Sequence, residues 1–225
     1  MSRHVVVREF PRVDLDIARQ LEEQGASTVH EADGRRGAFR SELHPLQQGA
    51  RIAGPAVTVS CHPGDNLMIH AAVETVRPGD VVVITTTSPS TDGMLGDLLA
   101  TSLRAHGAIG VIMDAGVRDA AELREMGFPV WTRAISPQGT VKASPGSVNV
   151  PVTVCGQVVN PGDAIVADDD GIVVIPRDRA ADVLKKATER TANEASKRER
   201  LAAGELGVDM YRLRPLLEQL GVEYR

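Results

Sequence analysis

A chain of 225 residues, 42% of them hydrophobic, is long enough to bury one sizeable core, and its composition excludes long disordered spans. Aromatic side chains make up only 3%, so that core must be built from Val, Ile, Leu and Ala, which suits strands and close helix packing. The 30 acidic and 25 basic residues give a net charge of −5 and are spread along the chain, which argues against nucleic acid or an anionic membrane as the partner.

Residues 1–14, MSRHVVVREFPRVD, lack the apolar run of a signal peptide, and no later run reaches membrane-spanning length, so a soluble cytoplasmic protein is expected. Residues 14–25, DLDIARQLEEQG, space apolar and charged positions as an amphipathic helix that closes on Gly25. Residues 26–32 then lead into a turn-rich segment through Gly34 and Gly37. The His30-Glu31 pair has no second histidine four residues on and is read as a helix or loop residue rather than a metal ligand. Residues 52–60, IAGPAVTVS, alternate like a strand, and the turn CHPGD leads into a helical stretch over residues 66–74. Cys61 and Cys155 form no CxxC pair and no framework, which points to reduced thiols.

Two consecutive strand, loop, helix units follow over residues 79–131. Residues 81–85 and 109–113 are short continuous apolar runs, the pattern of strands buried on both faces. The first helix is predicted from Gly96-Asp97 to Gly107, and the second from Asp119 to Gly127, with Pro129 blocking extension. Residues 130–135 are β-like, residues 136–147 form a loop that carries Lys142 among glycines and a proline, and residues 150–176 look like a β-meander with tight turns. The Asp168-Asp169-Asp170-Gly171 run lacks the remaining ligands of a calcium loop and reads as a hairpin turn. The composition changes at Arg177. A single α/β domain over residues 1–176 is therefore expected, followed by a charged, alanine-rich helical arm over residues 177–225 that Pro215 should break. Such an arm buries little alone, so packing against a neighbouring subunit is expected.

Parallel strands joined by helical crossovers bring both loops to the carboxyl edge of one sheet, so Asp97 and Asp119 should be neighbours. Two carboxylates there suit a Mg²⁺-type ion that keeps several waters. Arg118 supplies a planar fork for a carboxylate, and the backbone amides of Gly96, Asp97, Leu98 and Leu99 at a helix start can hold a second anionic oxygen. Together these describe a site for a 2-oxo acid. The same two aspartates would also serve as plain helix-start residues.

Asp97, twenty intervening residues, Arg118-Asp119, two more and then Glu122 resemble the D-x20-R-D-x2-E signature of the class II pyruvate aldolases that act on 4-hydroxy-4-methyl-2-oxoglutarate and 4-carboxy-4-hydroxy-2-oxoadipate. The segments TTSPSTDGMLGDLLATS, DAGVRD, GFPVW, GTVKASPGSVNVPV and ADDDGIVVIP are similar to the same family, so the resemblance spans nearly the whole chain. It implies a layered β/β/α swivelling-domain-like fold with a central, mostly parallel sheet, assembled as a trimer or hexamer. It also implies cleavage of a 4-hydroxy-2-oxo di- or tricarboxylate between C3 and C4 to give pyruvate and a second 2-oxo acid. Oxaloacetate decarboxylation is the expected side activity. The SPSTDGM loop is more similar to the enzymes of gallate and protocatechuate 4,5-cleavage, which favours 4-carboxy-4-hydroxy-2-oxoadipate.

By that resemblance Asp119 holds Mg²⁺ or Mn²⁺, Arg118 neutralises charge on the substrate's C2 oxygen, and Asp97 orders water around the ion for proton transfer. Lys142 contacts a substrate carboxylate, and Glu194 reaches the ion's shell from the adjacent subunit. Three competitors stay open. A Schiff-base aldolase would have to use Lys142, because the other lysines, at 185, 186 and 197, lie on the charged arm. Regulators of ribonuclease E share the fold but lack the Arg-Asp pair. A phosphoryl-carrying swivelling domain would need a histidine in a glycine-framed loop, which the chain does not have.

Overall fold

The computed structural model describes residues 4–225, which form two compact units, one ending at Ala187 and the other spanning Thr188–Arg225. The strands are β1 (His44–Pro45), β2 (Ile52–Cys61), β3 (Val81–Thr86), β4 (Gly93–Leu95), β5 (Gly110–Val117), β6 (Val130–Ile135), β7 (Ser147–Val148), β8 (Val152–Val154), β9 (Gln157–Val159), β10 (Ala164–Asp168) and β11 (Gly171–Ile175). The helices of the first unit are α1 (Leu15–Gln24), α2 (Ala26–Ala32), α3 (Leu67–Val73), α4 (Asp97–Ala105) and α5 (Ala120–Glu125), and α6 (Ala180–Ala202) runs on into the second.

The large sheet has the order β1-β6-β5-β3-β2-β10-β11, with β4 paired to β5 and β7 to β2. Strands β2, β3, β5 and β6 are parallel, and antiparallel ladders close both edges. Alternation along the central strands explains the layers. Val82 and Ile84 of β3, with Val57 and Val59 of β2, face α3, α4 and α5, while Val81 and Val83 face the small β8–β9 sheet. This is the β/β/α layering expected of the fold, a mixed α/β architecture around a mostly parallel sheet.

One sequence expectation is corrected. The hairpins predicted as one meander part company: β8 and β9 pair only with each other, whereas β10 crosses to β2. The burial needs of the strands account for it. Val152 and Val154 need a single face and find it on β3, but every residue of β10 is buried. Ile165 and Ala167 of β10 face the β8–β9 layer, Ala164 and Val166 face α1, α2 and α6, and only a site between two strands buries both sets.

Helix α6 buries Ala180, Val183 and Ala187 in the first unit. Within the second unit follow α7 (Gly207–Met210) and α8 (Arg214–Gln219), with Arg200 paired to Glu205 and Arg214 to Asp209. Pro215 occupies the first turn of α8, where its missing N–H costs nothing, so the break falls just before it. No described helix is long and apolar enough to cross a membrane.

Candidate active site

The short strand β4 lies inside the loop between β3 and α4 and pairs parallel to β5. This brings two chain turns side by side. Gly93 N donates to Gln138 O at 2.9 Å, and Arg118 N donates to Leu95 O at 2.9 Å, so the start of α4 and the end of β5 are tied together. Asp119 then adopts φ 53°, ψ 45°, a left-handed conformation that Asp and Asn tolerate better than most residues. Its carbonyl accepts from Leu123 N at 2.9 Å and opens α5.

The Asp119 side chain does not cap its own helix. Oδ2 instead accepts from Asp97 N at 3.2 Å, across the gap to α4, and lies 3.4 Å from Arg118 Nε. Of the four backbone amides expected to hold an anion at the start of α4, that of Asp97 is therefore engaged by Asp119, which leaves those of Gly96, Leu98 and Leu99. Glycines make the approach feasible. A Cβ on Gly96 would collide with Asp119 Oδ2 and stand 2.9 Å from Arg118 Nε, and a Cβ on Gly93 would stand 2.9 Å from Arg118 Cβ.

The structure thus brings Gly96, Asp97, Arg118 and Asp119 together at the carboxyl edge of the parallel strands. Arg118 is exposed and lines an open cleft of about 360 Å³ with Asp119, Ile135, Ser136 and Pro137. The Leu99 side chain is buried beneath α4, whereas that of Leu98 is 77% exposed. Lys142 is exposed on the loop after β6, beside His70, whose pKa is lowered by burial and further by the Lys142 charge. Glu194 lies in the second unit, where it pairs with Arg190 at 2.8 Å.

The donor set can be tested against a cation. Among the described residues no three His, Cys, Asp or Glu side chains form a metal cage. The Asp119 carboxylate, 3.2 Å from the Asp97 backbone N–H, stands beside a second acidic residue, the kind of donor set suited to an ion that takes one or two carboxylates and keeps its waters. A separate cavity of about 190 Å³ lies beside residues 38–45; Phe39, Leu43 and Ile172 are among its walls, and it contains none of the predicted residues.

One residue near the cleft had no role in the sequence reading. Asp65, in the turn after β2, is 1% exposed and accepts from Leu67 N, Ala143 N and Ser144 N at 2.9, 2.8 and 2.6 Å. Burial works against its charge, yet these three donors, helped by the Ser144 side chain, outweigh it and hold the carboxyl below its usual pKa. The PGDN turn before a helix was a visible signal for the bond to Leu67 but not for those to residues 143 and 144.

A mostly parallel sheet with an Arg-Asp pair and a second Asp at its carboxyl edge defines a mixed α/β protein with a candidate site at that edge. Residues 18–174 match the model of the RraA-like family, described as Aldolase/RraA, and the chain belongs to that family. A protein of Halalkalibacterium halodurans, provisionally named 4-hydroxy-4-methyl-2-oxoglutarate aldolase, is 28% identical over 200 residues, covering 89% of this chain and 95% of its own. One of the same provisional name from Burkholderia multivorans is 36% identical over 143 residues, 64% of this chain and 87% of its own. The crystal structure of Streptomyces coelicolor RraAS2, described as an unusual member of the RNase ES inhibitor RraA protein family, has a TM-score of 0.75 at 31% identity, over 84% of this chain and 99% of that one.

Proposed function

We propose that this protein is a cytoplasmic, divalent-metal-dependent aldolase that cleaves 4-carboxy-4-hydroxy-2-oxoadipate to pyruvate and oxaloacetate, and 4-hydroxy-4-methyl-2-oxoglutarate to two pyruvates, in aromatic-acid degradation. The observation that carries this reading is the meeting of Arg118, Asp119 and Asp97 at one sheet edge. The aldolase names of two relatives support it.

A divalent ion such as Mg²⁺ or Mn²⁺, held through Asp119 and completed by water, supplies an electrophile for the substrate's C2 oxygen. Arg118 neutralises the charge that grows on that oxygen as the C3–C4 electron pair moves onto the pyruvyl fragment, and its fork grips the neighbouring carboxylate. The Leu98 and Leu99 amides hold a further carboxylate oxygen at the start of α4. Asp97 accepts hydrogen bonds from water in the cleft and so keeps a proton carrier beside the C4 hydroxyl and, after cleavage, beside C3. Lys142 pairs with a substrate carboxylate. The same stabilised enolate can arise by loss of CO₂, so oxaloacetate decarboxylation accompanies the main reaction.

The working form is a trimer or hexamer in which Glu194 of one subunit faces the site of the next. Leu98, Ile135 and Val141, at 77, 57 and 60% exposure, are apolar surface of the kind that subunit contact covers. Identification of the products of 4-carboxy-4-hydroxy-2-oxoadipate by chromatography tests the reading, with pyruvate and oxaloacetate as the expected products and pyruvate gaining on oxaloacetate with time as the latter is decarboxylated. Borohydride in the presence of pyruvate should leave Lys142 unmodified; a trapped adduct would make it a Schiff-base enzyme. The likeness to the RraA structure favours a second reading, a regulator of ribonuclease E. It would be accepted if no pyruvate forms and the protein lowers ribonuclease E activity.

A further inference from the structure

The turn at residues 64–66 stands between strand β4, which leads into α4, and the loop after β6, and is bonded to both. On one side, Val141 N donates to Gly64 O at 3.0 Å, Asn66 N donates to Val141 O at 3.1 Å, and Asp65 Oδ2 takes the N–H groups of Ala143 and Ser144. On the other side, Asn66 Nδ2 donates to Met94 O at 3.1 Å, two residues before Gly96. The loop is anchored at its near end as well. Gln138 O accepts from Gly93 N at 2.9 Å, and a Cβ on Gly139 would stand 3.4 Å from Arg118 Nη1. Exposed Lys142 therefore sits between two fixed points on a segment without regular structure.

The chemistry of the anchor is strong. A carboxylate buried to 1% exposure requires compensation, and three backbone donors supply it, two of them from the loop itself. A lysine on a loose loop would lose much rotamer and backbone freedom on pairing with a ligand, and a loop already held in place reduces that loss.

We infer that Asp65 is a positioning residue for substrate binding: it fixes the 141–144 segment so that the Lys142 ammonium meets a substrate carboxylate. The inference rests on the aldolase reading and extends it, by giving the buried turn a role in substrate affinity. It acts through Lys142 and touches no reacting atom.

A double-mutant cycle on KM for 4-carboxy-4-hydroxy-2-oxoadipate tests it. Asp65→Ala should raise KM about 10-fold with kcat nearly kept, the pattern of lost uniform binding. Lys142→Ala should raise it by a similar factor, and the double variant no further. Asp65→Asn, which can still offer one oxygen to Ala143 and Ser144, should fall between. Additive effects, or a loss confined to kcat, would overturn the inference. Amide exchange separates this from the aldolase reading itself. Asp65→Asn should speed exchange over residues 138–146 while β3 and β5 stay protected, and unchanged exchange there would overturn the clamp whatever the turnover. A wild-type protein that cleaves nothing while the loop opens on substitution would leave the clamp standing, and would overturn both the aldolase reading and the lysine's proposed partner.

Discussion

Arg118 is exposed, and its described ion pair is with its own neighbour Asp119, so removing it strands no buried charge. Arg118→Ala should keep the melting temperature of the native protein and lower pyruvate release by about 10²–10³-fold, the usual loss for a group that stabilises developing charge. Asp119→Asn keeps a side chain that tolerates the left-handed backbone, and calorimetry should show Mg²⁺ affinity lost with the fold retained; unchanged affinity would remove Asp119 from the metal. The cysteines make a separate prediction. Burial, helped by Asp65 and Asp114 respectively, pushes both Cys61 and Cys155 thiols up to about 12. They are neutral and slow to react at pH 8, so a thiol reagent should label them only after denaturation. An unfolded cysteine ionises at about 8.5. Stability is thus full below that pH and falls as pH rises toward the folded value, which a melting series from pH 8 to 11 would reveal. Rapid labelling of the native protein would contradict the burial.

The elements that build the site differ in how far the sequence disclosed them. Helices α4 and α5 were legible because Gly107 and Gly127, both at positive φ, close them, and apolar periodicity marks their buried faces. Strand β4 was not, since Gly-Met-Leu becomes a strand only by pairing with β5. The separation of β8–β9 from β10 was equally hidden, because it depends on which layer each strand covers. The nearness of Asp97 and Asp119 followed from topology, but the crossing bond from Asp97 N to Asp119 Oδ2 depends on the left-handed backbone of Asp119 and the missing side chain of Gly96, which no spacing discloses. That bond carries a prediction at this scale. Gly96→Ala would drive a methyl group into Asp119 and force α4 and α5 apart, so activity should fall at least 10-fold while most of the core, which lies beneath, keeps the melting temperature within a few degrees. Full activity would mean that the spacing of the two helix starts is not used.

At the scale of the whole molecule, the two units solve burial differently. The first encloses most of its apolar residues in three clusters around the sheet, with Leu98, Ile135 and Val141 among the exceptions. The second leaves Leu201, Leu206, Tyr211, Leu216, Leu220 and Tyr224 exposed, which a single copy in water does not favour. Size-exclusion chromatography should therefore give a trimer or hexamer, and Glu194→Ala should cost activity without dissociating it; a fully active monomer would contradict the shared site. The central claim, that the meeting of Arg118, Asp119 and Asp97 performs metal-dependent cleavage of an oxo acid, is tested most directly by pyruvate release from 4-carboxy-4-hydroxy-2-oxoadipate, coupled to lactate dehydrogenase, before and after EDTA and again with added Mg²⁺. The account predicts activity that vanishes with the chelator and returns with the ion. Release that persists in EDTA, or none with any divalent ion, would contradict it.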